Sequence, residues 1–246
     1  MYKGLLTTIL LIMSVSSFGG VQSICGKEDN RVPSYDNEIG RLFAGENHAG
    51  CTVTMISEDC GITAGHCKSV LKYAEFNTPA SIGGIPQASA PEDVYEIDQE
   101  TIVSTDGGPG DDWAVLKLKA NELTGKLPGA VQGFYEVSFT APKKRSLLSI
   151  TGYGRDLPDD ERNFAQQTNS GLLEKAGDFW YGKSVFTHTV DTMGGNSGST
   201  VIDVTSGKII GIHTHGGCTS TGGSNMGTLI SKHEALKAAI KSCLQN

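Results

Sequence analysis

The sequence predicts an all-β protein closed by one C-terminal helix, and three observations carry that prediction. There are 32 glycines among 246 residues, which implies many turns, since glycine takes the backbone conformations that tight reversals need. The apolar runs are short and are separated by clusters of Gly, Pro, Ser, Asn and Asp, the pattern of short strands joined by turns. At the end of the chain, Leu236, Ile240 and Cys243 fall on one helical face, behind Ser231 and Glu234 at the spacing of a capping box. A hydrophobic content of 38% is ordinary for a chain able to bury a sizeable core.

Taken in order, residues 1–23 have the features of a secretory leader. Lys3 supplies the positive start, residues 5–15 are mostly apolar, and Val21-Gln22-Ser23 offers small residues for cleavage, so Ile24 is the expected mature N-terminus. The apolar run is shorter than the roughly 20 residues a spanning helix needs, and bulky Ile24 before Cys25 argues against a lipoprotein. Strands are expected from about Val32, at residues 39–43, 51–56 and 61–64. Residues 78–110 are rich in Gly, Pro, Ser and acidic side chains, with short strands near 95–97 and 101–104 and a loop at 106–111. Residues 113–118 read as a buried strand, and residues 146–154 as a strand running into a glycine turn. The polar, charged stretch 155–169 reads as an exposed loop. Residues 179–190 contribute further strand, and residues 199–203 and 208–214 pair through a turn at Thr205-Ser206-Gly207. The helix follows from Ser231.

A net charge of −7 and the lack of a long basic run exclude a general nucleic-acid binder. Six cysteines remain after processing: Cys25, Cys51, Cys60, Cys67, Cys218 and Cys243. Spacing alone cannot choose among their fifteen pairings. No Cys-x-x-Cys pair is present, and an oxidising compartment favours disulfides over zinc. The expected location is therefore extracellular or periplasmic, with no stable membrane association.

The chemistry lies in three short stretches. In Asp191-Thr192-Met193-Gly194-Gly195-Asn196-Ser197-Gly198-Ser199, glycines around Ser197 permit a tight turn that exposes Oγ and aims N–H groups at one point. Acyl transfer needs both. The same residue types are common in plain surface turns, so the partners decide. Residues 62–67 place His66 beside a cysteine, and residues 111–118 place Asp111 and Asp112 at the head of an apolar run. The order His, Asp, Ser is that of chymotrypsin, whereas α/β-hydrolases run Ser, Asp/Glu, His. The elbow Gly-x-Ser-x-Gly also fails, because Ser199 stands where its second glycine would be.

These motifs resemble those of the chymotrypsin-fold serine peptidases. The resemblance spans nearly the whole of residues 24–246 and implies two six-stranded antiparallel β-barrels, at about 32–120 and about 136–230. It places the crossover at about 121–137 and a helix at about 231–244. It implies a triad of His66, Asp112 and Ser197, with Asp112 chosen over Asp111 because the family's aspartate directly precedes the apolar run. The N–H groups of Gly195 and Ser197 would form the oxyanion hole, and Thr214 would lie on the edge strand that pairs with substrate backbone. Cys51 and Cys67 bracket His66 as the family's histidine-loop bridge does. For the other cysteines the expected pairs are Cys25–Cys218, stapling the N-terminal arm beside the specificity pocket, and Cys60–Cys243, tying the first barrel to the helix. No metal or organic cofactor is needed. The expected partners are protein or peptide substrates, met by a monomer.

Gly-Gly-Asn-Ser-Gly-Ser, Gly-Ile-His-Thr-His-Gly-Gly at 211–217, Asn-Met-Gly-Thr at 225–228 and the arm at 24–32 are similar to the bacterial glutamyl endopeptidases. That narrower resemblance implies Glu, and also Asp, before the cut, with His213 and Thr192 holding the carboxylate. Asp191 carries the competing reading, because trypsin-like enzymes have an aspartate six residues before the serine that selects Lys or Arg. Animal digestive relatives also carry an aspartate directly before the serine, which pairs with a freshly cut N-terminus. Asn196 cannot form that ion pair, so Arg31–Val32 need not be an activation site, and the mature N-terminus is expected close to the substrate.

Two other classes compete. A non-catalytic binding protein of the same fold would usually lose a triad residue, and none is lost. A metal protein using His213, His215 and Cys218 is weaker, because strand alternation puts both histidines on one face but supplies too few ligands. The carboxylates of residues 106–111 are likewise expected to be solvated and not to hold calcium.

Overall fold

The computed structural model describes residues 23–44, 49–158, 160–178 and 182–245, so the leader expected over residues 1–23 lies almost wholly outside the described residues. Within them the strands are β1 (Val32–Pro33), β2 (Ile39–Phe43), β3 (Ala49–Met55), β4 (Cys60–Thr63), β5 (Tyr73–Glu75), β6 (Val94–Asp106) and β7 (Asp112–Leu118). After a short helix α1 (Pro128–Gln132) come β8 (Leu147–Gly152), β9 (Gln167–Asp178), β10 (Gly182–His188), β11 (Thr200–Asp203), β12 (Lys208–His215) and β13 (Asn225–Leu229). Helix α2 (Glu234–Gln245) is the last element.

The strands close into two six-stranded antiparallel barrels. The first runs β2-β3-β4-β7-β6-β5 and closes through β5 on β2. The second runs β8-β9-β10-β13-β12-β11 and closes through β11 on β8, with β1 added to β9. Taken in chain order, both barrels place their strands in the same sequence, so the second repeats the first in topology.

β7 shows why an unbroken apolar run forms a strand here. Its side chains alternate: Ala114, Leu116 and Leu118 fill the core of the first barrel, while Trp113 and Val115 join a second cluster between the barrels. Ile202, Ile209 and Ile212 reach that seam from the second barrel, and Leu236 and Ile240 of α2 seal it. Each such aliphatic side chain, fully buried, contributes roughly 1.5–3 kcal/mol. The second barrel's own core gathers Leu148, Ile150, Leu173, Phe186 and Ile210. Three disulfides join Cys51 to Cys67, Cys25 to Cys218 and Cys60 to Cys243. No cysteine is free.

The structure differs from the sequence reading at several elements. The polar stretch 155–169 is not simply an exposed loop, for β9 begins at Gln167, and Gln166 and Gln167 are buried. Their amide nitrogens donate to the backbone: Gln166 Nε2 to the Asp36 carbonyl at 2.8 Å and Gln167 Nε2 to the Arg162 carbonyl at 2.8 Å. The two strands expected near 95–97 and 101–104 are one strand, β6, with a register shift between Asp98 and Val103. The capping box is absent, because Ser231 lies in a 3-10 turn with its buried hydroxyl unpartnered among the described residues. His233 caps α2 instead, its Nδ1 accepting the Leu236 N–H at 3.1 Å.

Candidate active site

Asp112 opens β7 and is wholly buried at the seam between the barrels. Its Oδ1 accepts the N–H groups of Gly65 (2.6 Å) and His66 (3.1 Å), and its Oδ2 lies 2.5 Å from His66 Nδ1. A buried carboxylate is tolerable only when paired and hydrogen-bonded in this way. The arrangement keeps the proton on Nδ1 and leaves Nε2 with the lone pair of a base. Burial would lower the His66 pKa, but the hydrogen bond and charge of Asp112 outweigh it and hold the imidazole above its ordinary value. Asp111 is elsewhere, 2.8 Å from His233 Nε2, with its side chain half exposed.

The turn carrying Ser197 packs on the first barrel next to His66. Thr52 on β3 clamps it from both sides: its N–H donates to the Ser197 carbonyl (2.9 Å) and its hydroxyl to the Gly195 carbonyl (3.1 Å). The Ser197 carbonyl lies 3.9 Å from Cys67 Sγ, one residue from His66. Gly198 has φ +86°, and a Cβ there would come within 2.0 Å of Thr63 Oγ1 and 2.9 Å of the Ala64 nitrogen, so only glycine allows the approach. On the other side the His213 carbonyl accepts the Gly198 N–H at 2.9 Å.

Beneath this turn lies the N-terminal arm, residues 24–31, preceded by Ser23, the last residue of the expected leader. Ser23 bridges Thr192, and Asn225 Nδ2 donates to the carbonyls of Ser23 and Val190, both at 2.8 Å, and to Thr192 Oγ1 at 3.2 Å. Asn225 Oδ1 accepts from the Gly217 and Cys218 N–H groups. The Asp191 carboxylate is spent on the arm, accepting the Cys25 N–H at 2.7 Å, the Asn30 N–H at 3.0 Å and Asn30 Nδ2 at 3.3 Å. A cleft of about 1010 Å³ opens alongside, lined by Ile24, Lys27, Arg155, Met193 and Cys218 among others.

His213 is buried, with Nδ1 3.2 Å from His188 Nε2, while His188 Nδ1 accepts the Val190 N–H at 3.2 Å. Burial pushes His188 down to about 3, and burial with repulsion from His188, His215 and His66 holds His213 well below the usual range. Both rings are thus neutral near pH 7. Since His188 Nδ1 is an acceptor, its proton sits on Nε2 and is donated to His213 Nδ1, which leaves His213 an N–H at Nε2.

The expected alternation of His213 and His215 fails, because β12 carries a register shift between them. Thr214 falls in that irregularity, largely buried, with its hydroxyl 2.8 Å from His215 Nδ1. His215 turns toward Asp112 and His66 instead, 4.0 Å from Asp112 Oδ2 and with its ring 6.0 Å from that of His66. Cys218 is bonded to Cys25 and so cannot serve a metal. Among the described residues the one cluster with ligating atoms in reach of one another is Cys51, His66 and Cys67, and its two sulfurs form a disulfide.

Sequence reasoning missed Thr52, His188 and His215 as parts of this site. Asn225 had a signal in its local motif, but Thr52 and His188 sit in ordinary strand sequence, and only their distant partners reveal them.

A family model described as Trypsin matches residues 30–236. No curated protein matches the chain. Among solved structures, a Glu endopeptidase in complex with MPD superposes with TM-score 0.67 and 19% identity, covering 91% of this chain and 100% of that one. Protease Anisep from Arthrobacter nicotinovorans superposes with TM-score 0.64 and 16% identity, covering 88% and 100%. The thermostable serine protease AL20 from an extremophilic microorganism gives 0.63 and 15%, covering 85% and 97%. At these identities the likenesses show the fold alone.

Proposed function

The chain belongs to the Trypsin family and is a serine endopeptidase, and we propose that Ser197, His66 and Asp112 carry its chemistry and that it cuts after Glu, and also Asp. The observation that carries the triad is the wholly buried Asp112 on His66 Nδ1 at 2.5 Å, with the Ser197 turn packed beside them. Ser197 Oγ attacks the peptide carbonyl as its proton passes to His66 Nε2, and the carbonyl oxygen takes the negative charge. The N–H groups of Gly195 and Ser197 hold that oxyanion. His66 then gives the proton to the leaving amine as the C–N bond breaks, and water repeats the sequence to release the acid. Thr214, which lacks a ladder partner between His213 and His215, offers its backbone to the substrate as an added strand.

Acidic preference is supported by His213, whose Nε2–H is a neutral donor backed by His188, and by the residue type of Thr192, five residues before Ser197, whose Oγ1 accepts from Asn225 Nδ2 at 3.2 Å. A Lys/Arg preference would need Asp191 free, and its carboxylate already accepts three N–H groups from the arm. Three disulfides without a free thiol support export to an oxidising compartment.

A peptide-library profile of the purified protein tests this reading. Cleavage after Glu, abolished in Ser197→Ala, is expected. Cleavage after Lys or Arg alone would overturn the pocket assignment. No cleavage and no fluorophosphonate labelling would return the chain to the class of binding proteins.

A further inference from the structure

The arm carries one strongly charged group that the mechanism above does not use, the guanidinium of Arg31. It is 3% exposed. Asp29 holds it in a fork, Nε to Oδ1 at 3.0 Å and Nη2 to Oδ2 at 2.6 Å, and Asp156 approaches Nη2 at 3.4 Å. Burial alone would raise the Asp29 carboxyl, but Arg31 outweighs it and keeps Asp29 below its ordinary value. Two carboxylates offset the cost of taking this cation out of water. Its third nitrogen, Nη1, has no hydrogen-bond partner among the described residues.

Nη1 lies against Gly154, on the same face as Asn196. A Cβ added at Gly154 would come within 2.6 Å of Nη1 and 2.1 Å of Asn196 Oδ1. Asn196 directly precedes Ser197 and ties the nucleophile turn together. Its Oδ1 accepts the Met193 N–H at 2.9 Å, and its N–H returns to the Met193 carbonyl at 2.9 Å. Gly154 backs the same turn, since a Cβ on Gly195 would lie 3.3 Å from the Gly154 Cα. The Arg155 N–H also donates to the Gly194 carbonyl at 2.7 Å. Arg31 therefore packs against Gly154, which in turn backs the segment that presents the two oxyanion donors, while Asp191 anchors the rest of the arm at the segment's start.

We propose that Arg31 is a positioning residue: it holds residues 193–197 in the arrangement that aims the Gly195 and Ser197 N–H groups at the oxyanion, so the enzyme is competent with the Arg31–Val32 bond intact. This rests on the acyl-transfer reading above. A planar fork is needed, because it grips Asp29 with two nitrogens and keeps the third at Gly154, which an ammonium cannot do.

The test compares purified wild type, Arg31→Lys and Arg31→Ala. Removing one oxyanion donor outright costs about 10²–10³ in kcat, so misaiming one should cost about 10-fold in Arg31→Lys and about 100-fold in Arg31→Ala. KM should stay within about threefold, since the effect is on the transition state. Inhibition by a peptide aldehyde, whose hemiacetal oxygen uses the same donors, should weaken in parallel with kcat/KM. Millimolar methylguanidinium should restore part of the Arg31→Ala rate. Where Arg31→Ala does not accumulate, Arg31→Lys carries the test. Unchanged kcat and aldehyde affinity with only a lower melting temperature would overturn the inference, as would an active enzyme whose N-terminus is Val32. A wild type that neither cleaves peptides nor takes fluorophosphonate would overturn the site reading and this inference with it.

Discussion

Asp112 and His213 show how a single environment sets the state of a titratable group. The Asp112 carboxylate keeps the His66 proton on Nδ1 and lifts the imidazole above its ordinary value. A base must be neutral to act, so kcat/KM is expected to rise with pH through an ionisation above that of a free imidazole. Asp112→Asn removes the charge and favours the wrong tautomer. It should move that limb to lower pH and cut kcat by about 10⁴, as in the general triad template. A pH–rate profile of wild type and variant checks both. His213 lies at the opposite extreme, held neutral by burial and by its imidazole neighbours. Losing a hydrogen bond to a charged group costs roughly 1.5–3 kcal/mol. His213→Ala should therefore lower kcat/KM on Glu substrates by about 10- to 100-fold and on neutral ones much less, read from paired peptides.

At the level of the element, α2 separates two capping schemes that the sequence allows. Ser231 and Glu234 have capping-box spacing, yet the 3-10 turn at Ile230–Lys232 carries Ser231 away from the helix end. The His233 imidazole takes over, with Nδ1 on the Leu236 N–H and Nε2 2.8 Å from Asp111 Oδ1. An N-cap is worth about 1 kcal/mol, so His233→Ala should lower unfolding free energy by about that much. Ser231→Ala, which deletes a buried hydroxyl without a partner among the described residues, should cost nothing or stabilise slightly. Urea denaturation of the two variants distinguishes the schemes.

Across the whole molecule, two barrels of the same strand order meet at a shared apolar seam closed by α2. At the rim, where residues 33–38 meet the crossover, Tyr135 donates to Asp36 Oδ2 at 2.6 Å and Glu38 stands nearby. Burial, and then the Asp36 carboxylate, raise Glu38 to about 7. The folded state thus holds this proton more tightly than the unfolded chain does. The associated stability is fully present below the ordinary value of 4.5 and is lost as pH rises through about 7. Glu38→Gln, neutral throughout, should match the wild-type melting temperature at pH 4 and exceed it at pH 8. Melting curves at the two pH values decide it.

The all-β class, the barrel count and the terminal helix could be read before any coordinates. Short apolar runs between turn residues report strand periodicity locally, and the order of three motifs carried a resemblance that extended to the fold. The stretches around His66, Asp112 and Ser197 were visible for the same reason: each packs its chemistry into a few consecutive residues. What the sequence could not decide was which distant groups would meet. Asp191 reads as a pocket floor until the arm at Cys25 and Asn30 is seen to occupy its carboxylate. Thr52 looks like any strand threonine until it is found clamping Gly195 and Ser197. His213 has an assigned proton only because His188, 25 residues away, accepts from Val190. Polar groups taken out of water must find partners, and in a closed barrel those partners come from strands far apart in the chain, so they are chosen by tertiary packing.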